Sequence, residues 1–216
     1  NAEARRRQSQ ALDNLGEALL ALGRVDEALA SFQECIDLYP RDPASFRARL
    51  LASDACVEQG DVQQAESLLR ENLSGDLLTP ASKEWRDSLF ALGRLLHGSQ
   101  RYEEAILEFQ RSSGMGFELP LWACSLGHAY AVSGNRSEAE KILSQMQEQP
   151  GDRYLDPFLF AVIHAGLRQP DDVFRRLLQA CEERSALLPL FIHDPRLDPV
   201  RSDPRFQDVL RRLGLA

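Results

Sequence analysis

The stretch 12–40, LDNLGEALLALGRVDEALASFQECIDLYP, decides the fold of this chain. Apolar residues recur at helical spacing on both sides of Gly23, which predicts two amphipathic helices joined by a tight turn. Gly23 suits the turn because glycine readily adopts the left-handed backbone conformation that ends a helix. The predicted buried stripe of the first helix consists of Leu12, Leu15, Leu19 and Leu22, and that of the second of Val25, Ala28, Leu29, Phe32 and Ile36.

Small residues at regular spacing indicate that this hairpin is repeated along the chain. Ala28 is followed, at steps of 37, 40, 34 and 34 residues, by Ala65, Ala105, Ala139 and Val173. Another small residue lies twelve positions before each of these: Gly16, Ser53, Gly93, Gly127 and Ala161. A large apolar residue lies four positions after each: Phe32, Leu69, Phe109, Leu143 and Leu177. A repeat near 34 residues predicts an all-α stack of helical hairpins, which is typical of a binding scaffold.

The small residues have a packing reason. The two helices of a hairpin approach to about 8–10 Å, and Gly16 and Ala28 allow their backbones to meet while Phe32 fills the space beside them. One hairpin buries too little apolar surface to fold alone, so at least about three must share a core. The turns and caps support the division into hairpins, with Asp61 and Gln64 as a capping pair, Thr79-Pro80 opening the third hairpin and Asp156-Pro157 opening the fifth.

Composition excludes several classes of function. The formal net charge of −8 and the pI near 5.1 argue against nucleic acid as a partner, because phosphate binding needs a basic face. The four cysteines form no CxxC pair, and free buried thiols are typical of a reducing compartment, so we expect a cytoplasmic protein. No apolar run approaches the length of a membrane span, so we expect no membrane association.

The sequence predicts neither an enzyme nor a metal or cofactor site. It contains no GxSxG, GxxxxGK[ST], GxGxxG or HExxH motif. Acidic pairs such as Asp26-Glu27 begin helices, where negative charge favours the helix dipole. The histidines form no i, i+4 pair, although His97 and His128 are predicted to lie on adjacent inner faces, and His164 is predicted to fill a packing position.

The hairpins resemble the tetratricopeptide repeat. The first, third and fourth match its motif closely, and the second and fifth match it less well. The matching residues are Leu15-Gly16, Leu19, Ala28, Phe32, Cys35 and Pro40, then Leu92-Gly93, Leu96, Tyr102, Ala105 and Phe109, then Leu126-Gly127, Tyr130, Ala139 and Leu143. The resemblance implies one right-handed α-solenoid with repeats at about 9–42, 43–79, 80–117, 118–152 and 154–185, closed by a linker and capping helix at 186–216.

The resemblance also implies a binding surface. In this family the first helices of the hairpins line a concave groove that holds a peptide or a partner helix. The corresponding positions here are Asp13, Glu17, Arg47, Leu50, Asp54, Phe90, Arg94, His97, Cys124, His128, Phe158 and Val162. The acidic pair Asp13 and Glu17 argues against the clamp for a chaperone C-terminal carboxylate, which uses Lys and Asn at these positions.

The end of the chain carries a second resemblance. The segment 194–214, DPRLDPVRSDPRFQDVLRRLG, resembles the ending of bacterial signalling proteins that place such repeats after a kinase, cyclase or winged-helix domain. We expect its arginines to pair with the interleaved aspartates and the helix at 204–213 to cap the last hairpin. The alternatives are that this helix docks against the rest of a longer protein, and that the whole region is a self-association module that dimerises an attached domain.

Overall fold

The computed structural model describes residues 2–74, 82–112, 120–148 and 154–215. It divides into two compact units, Asn1–Gly114 (unit 1) and Met115–Ala216 (unit 2). Within the described residues the secondary structure is entirely helical, which confirms the predicted all-α fold of helical hairpins.

Unit 1 contains three hairpins, each made of a first (A) helix and a second (B) helix. The A helices α1 and α3 contact each other, as do α3 and α5. The bounds are α1 (Ala2–Ala21), α2 (Val25–Leu38), α3 (Pro43–Glu58), α4 (Val62–Ser74), α5 (Lys83–Gly98) and α6 (Tyr102–Ser112).

Unit 2 contains two hairpins and a C-terminal extension. The A helices α7 and α9 pack together, the extension contacts α9 and α10, and its last helix packs against α10. The bounds are α7 (Pro120–Val132), α8 (Arg136–Gln147), α9 (Pro157–Gly166), α10 (Pro170–Glu182), α11 (Leu187–Phe191), a 3₁₀ helix (Pro195–Val200) and α12 (Pro204–Arg212).

The glycine ladder sits where the helices of a hairpin touch. A Cβ atom added to Gly93 on α5 would lie 2.6 Å from Cε1 of Phe109 on α6, and Gly16 meets the ring of Phe32 in the same way. Ala28, Ala105, Phe32 and Phe109 have no exposed surface. The small residues therefore form slots that receive the aromatic ring of the facing helix, as the spacing predicts.

Turns and caps follow the sequence signals. Gly23, the predicted turn glycine, has φ of +72°, and Gly134, in the turn between α7 and α8, has φ of +87°, both in the left-handed region. The Asp61 carboxylate accepts a hydrogen bond from the backbone N–H of Gln64 at 3.0 Å, and Asp156 caps α9 ahead of its N-terminal proline. The third hairpin begins at Lys83 with Ser82 as its cap. The predicted start at Thr79-Pro80 lies outside the described residues.

The apolar stripe of α1 differs from the prediction. Leu19 is buried, but Leu15 is 51% exposed and Leu22 is 71% exposed. The inner side of α1 is completed by Ser9 and Asp13, both without exposed surface. Periodicity alone misplaced the stripe, because α1 has apolar residues on two opposite sides and only one side meets α2 and α3.

The C-terminal helix closes unit 2 as predicted. Phe206 and Val209 of α12 are buried, and the guanidinium of Arg205 lies 4.3 Å from the ring centroid of Phe174 on α10. The predicted pairing of tail arginines with tail aspartates is also confirmed, by ion pairs of Asp194 with Arg196 at 2.6 Å, Asp198 with Arg201 at 2.5 Å and Asp203 with Arg205 at 2.7 Å.

No helix in the part of the chain that the structure describes has the length and apolar character required to cross a membrane. Cys35, Cys56 and Cys124 are buried free thiols, and Cys181 is partly exposed.

Candidate functional site

The predicted inner-face residues of unit 1 divide into a structural cluster and an open cavity. The cluster lies between α1 and α3, where Arg47 donates hydrogen bonds to Asp13 and to Glu17, each at 2.5 Å. Asp13 has no exposed surface, and its Oδ1 has no hydrogen-bond partner among the described residues. Asp13 therefore joins two hairpins and is not presented to a ligand, while Glu17 remains exposed beside it.

Burial controls the ionisation of Asp13. Removal from water raises the pKa of its carboxyl, and the neighbouring Arg47 only partly opposes that effect. Arg47 itself keeps 40% of its side chain exposed. The cluster is thus a partly buried set of ion pairs in which the pKa of the buried acid, Asp13, is raised, while Arg47 and Glu17 keep contact with solvent.

A cavity of about 240 Å³ lies between the second and third hairpins of unit 1. Helices α3, α4 and α5 supply its walls, which are mostly apolar, with one acid and one base among them. The lining residues are Ser53, Asp54, Val57, Val62, Leu69, Ala91, Arg94, Leu95, Gly98 and Ser99.

Asp54 and Arg94 are the charged groups of this cavity, and both were predicted from the sequence to face a ligand. Asp54 is exposed as a residue, but partial removal of its carboxyl from water raises its pKa; the attraction of Arg94 opposes the shift and the nearby Glu58 adds to it. Arg94 is exposed. The pair places a cationic donor and a carboxylate acceptor beside apolar walls, which is the arrangement that orients a ligand in an otherwise apolar site.

The remaining predicted residues of unit 1 do not line this cavity. Phe90 is half-buried, and its ring centroid lies 5.7 Å from that of Phe109. The His97 ring meets Tyr102 edge-on at 5.3 Å. Leu50 is half-buried on α3. Phe90 and His97 therefore contact α6 of their own hairpin, so they support the position of α5.

The predicted residues of unit 2 are covered by the chain itself. Cys124, His128 and Phe158 are at most 5% exposed, and Val162 has no exposed surface. Residues 187–201, which we call the C-terminal segment, lie over them. The ring of Phe191 stacks on that of Phe158 with 6.0 Å between the ring centroids, and the Nη1 atom of Arg196 lies 4.0 Å from the Sγ atom of Cys124.

Two charged residues anchor the C-terminal segment over α7. Asp194 accepts hydrogen bonds from Arg196, whose guanidinium reaches Cys124, and His128 adds to the positive field around Asp194. Burial raises the pKa of Asp194, but the hydrogen bonds and the positive charge of Arg196, with a contribution from His128, together lower it below its ordinary value. Burial raises the pKa of the Cys124 thiol to about 11. Cys124 is therefore an unreactive packing residue.

The histidines show packing roles where their contacts are described. His164 is buried and forms a 2.8 Å hydrogen bond between its Nδ1 and Oε1 of Gln169. His97 belongs to unit 1 and His128 to unit 2. Among the described residues, no three His, Cys, Asp or Glu side chains are grouped as metal ligands would be.

The comparisons with known proteins agree with this architecture. Residues 7–75 match the family model described as tetratricopeptide repeat. Over these residues, which span the first two hairpins, the chain is similar to tetratricopeptide repeats. No curated protein sequence matches the chain.

Solved structures extend the likeness to the other hairpins. A tetratricopeptide repeat protein from Parabacteroides merdae has a TM-score of 0.64 at 15% identity, covering 97% of this chain and 75% of that one. A thermophilic protein of the same class from Thermus thermophilus has a TM-score of 0.59 at 20% identity, covering 94% and 99%. YrrB, described as having an unusual peptide-binding site, has a TM-score of 0.55 at 17% identity, covering 84% and 90%. These likenesses show the tetratricopeptide-repeat fold.

Proposed function

We propose that this chain is a non-catalytic protein-interaction scaffold that holds a peptide or a partner helix in unit 1, at the cavity lined by α3, α4 and α5. The observation that carries the proposal is the combination of an apolar cavity of about 240 Å³ with Asp54 and Arg94 in its lining. YrrB, which shares the fold, is described as a peptide-binding protein.

The cavity suits an apolar anchor flanked by backbone. Val57, Val62 and Leu95 offer surface to one branched aliphatic or aromatic side chain. Arg94 donates to peptide carbonyls, and Asp54 accepts from peptide N–H groups. The helices that hold these residues are preformed, so the receptor loses little conformational freedom when it binds.

The inner face of unit 2 has a different role in this proposal. Cys124 and Phe158 already contact the C-terminal segment, and the charge of His128 acts on Asp194 in that segment. We therefore assign the external ligand to unit 1. We further propose that the scaffold acts in a bacterial signalling protein in the cytoplasm, for which the support is the resemblance of the tail at 194–214.

A random-peptide display library, selected on the purified chain, provides the probe. The strongest selected peptide is then labelled, and its affinity for wild-type protein is compared with that for Ala91→Trp, which fills the cavity, and Ala30→Trp, the same change at an exposed site on α2. We expect the first to weaken binding at least about tenfold, equivalent to about 1.4 kcal/mol, and the second to leave it unchanged.

A charge reversal tests the polar pair separately. Arg94→Glu places a second carboxylate beside Asp54 and removes the donors, whereas Arg41→Glu makes the same charge change at an exposed site after α2. We expect only Arg94→Glu to weaken the peptide, with both variants retaining the helical circular dichroism spectrum of the wild-type chain. Equal affinity of the peptide for Ala91→Trp, Arg94→Glu and wild-type protein would exclude the cavity as the binding site.

A further inference from the structure

Helix α1 exposes a stripe of apolar residues, interrupted only by Gln8, on a side away from its buried face. The stripe consists of residues that alternate in spacing between four and three positions, which is the heptad pattern of a helix-pairing seam. Leu15 is 51% exposed and Leu22 is 71% exposed. We name this stripe the α1 seam: Ala4, Gln8, Ala11, Leu15, Ala18 and Leu22, all exposed.

Later hairpins show what the same positions do when a partner is present. The residues of α3 that correspond to Ala11, Leu15 and Ala18 are Ala48, Ala52 and Ala55, which are at most 3% exposed. The corresponding residues of α5 are Ser88, Leu92 and Leu95, at most 8% exposed. Both helices cover this side by packing against the hairpin that precedes them. The α1 seam is therefore a helix-packing surface that lacks its partner helix within the described residues.

We infer that the α1 seam is a dimer interface, in which α1 pairs antiparallel with α1 of a second copy of this chain. A head-to-tail arrangement would place α1 against the last hairpin of another copy, but α12 already covers α10 in that hairpin. A two-fold arrangement uses only the seam, so it closes at two subunits.

Side-chain size favours the antiparallel register. When residue 11 faces residue 15 of the partner subunit, residues 4 and 18 face residues 22 and 8. Every layer then sets an alanine against Leu or Gln, so each large side chain packs over a small one. Alanines at seven-residue spacing also allow the two backbones to approach closely, at the short end of the about 8–10 Å range of helix packing.

Charge favours the same orientation. Arg5, Arg6 and Arg7 lie together in the first two turns of α1, and its last turn contains no basic residue. A parallel pair would place the two arginine clusters side by side. The antiparallel pair separates them and brings each cluster to the C-terminal end of the partner helix, where the helix dipole is negative.

The test uses the purified chain, without any peptide, in sedimentation experiments from about 1 to about 300 μM. A single helix pair is a small interface, so we expect a dimer with a dissociation constant of about 10 μM. Leu15→Glu should weaken dimerisation at least about tenfold, because it buries two unpaired carboxylates. Leu107→Glu, on the exposed surface of α6, is the matched control and should dimerise like the wild-type chain.

Cysteine cross-linking tests the orientation in a Cys181→Ser background. An equimolar mixture of Ala11→Cys and Leu15→Cys chains should form the mixed disulfide faster than either chain forms its own. Faster cross-linking of Leu15→Cys with itself would overturn the antiparallel arrangement. A chain that stays monomeric throughout the concentration range, or a dimer that Leu15→Glu leaves intact, would overturn the interface. No residue of α1 lines the unit 1 cavity, so either result leaves the proposed peptide site to its own test.

Discussion

Adding one methyl group to Gly93 provides a sharp test of how the hairpins are packed. Its Cβ would lie 2.6 Å from Cε1 and 2.7 Å from Cδ1 of Phe109. The ring cannot turn aside, since Phe109 has no exposed surface and Phe90 packs against it at 5.7 Å. The two helices of the third hairpin must therefore separate to accept Gly93→Ala.

The magnitude follows from two opposing effects. Overpacking of a well-filled core costs about 1–3 kcal/mol, while replacing glycine by alanine inside a helix contributes up to about 1 kcal/mol in the opposite direction. We expect Gly93→Ala to lower the free energy of unfolding by about 1–2 kcal/mol, which lowers the melting temperature by about 2–4 °C for each kcal/mol.

Gly98→Ala is the matched control, because Gly98 ends the same helix and a Cβ there would meet nothing within 4 Å. It should leave stability unchanged or raise it by up to about 1 kcal/mol. Urea unfolding followed by circular dichroism measures both variants. Combining Gly93→Ala with Phe109→Leu should cost less than the sum of the single changes, with a coupling of about 0.5–3 kcal/mol. Stabilisation by Gly93→Ala equal to that by Gly98→Ala would refute the slot.

Three further predictions concern buried polar and thiol groups. Arg47→Met should raise the pKa of Asp13 further and destabilise the fold by about 1–3 kcal/mol at neutral pH, because the charged acid is then buried without its partner. This loss of stability should shrink as the pH falls through the raised pKa, since Asp13 then becomes neutral. Urea unfolding at several pH values measures both effects. Cys124, with a pKa of about 11, should resist iodoacetamide in the native chain while Cys181 reacts, as measured by peptide mass mapping; equal labelling would contradict its burial. Asp156→Ala should cost about 1–3 kcal/mol by uncapping α9 and leaving buried donors unpaired, and an unchanged unfolding midpoint would contradict that role.

Local features of the fold were predictable from sequence. The slots at Gly16 and Gly93, the turn at Gly23 and the cap at Asp156 depend on interactions within one hairpin or one turn, and spacing and residue type report these directly. The exposed side of Leu15 was not predictable in the same way. Helical periodicity marks an apolar side, but it does not state which of two apolar sides meets a neighbour.

The candidate site was predictable only in part. Asp54 and Arg94 do line one cavity, although they are 40 residues apart in sequence. Asp13 sits at the expected helix position but is buried by contacts that depend on how two hairpins meet. The cover over Cys124 and Phe158 comes from a segment 33 or more residues further along the chain, and no local pattern indicates such a contact.

The Asp-Pro-Arg turns of the tail have a consequence for folding during synthesis. Each turn closes locally, since Asp194 and Asp203 accept hydrogen bonds from the backbone N–H and the guanidinium of the arginine two residues later. The contact of Arg196 with Cys124, in contrast, spans 72 residues. On the ribosome the inner side of α7 and α9 is therefore complete before its cover is translated. Chains that stop short of residue 187 expose Phe158, and they should be the aggregation-prone products of premature termination.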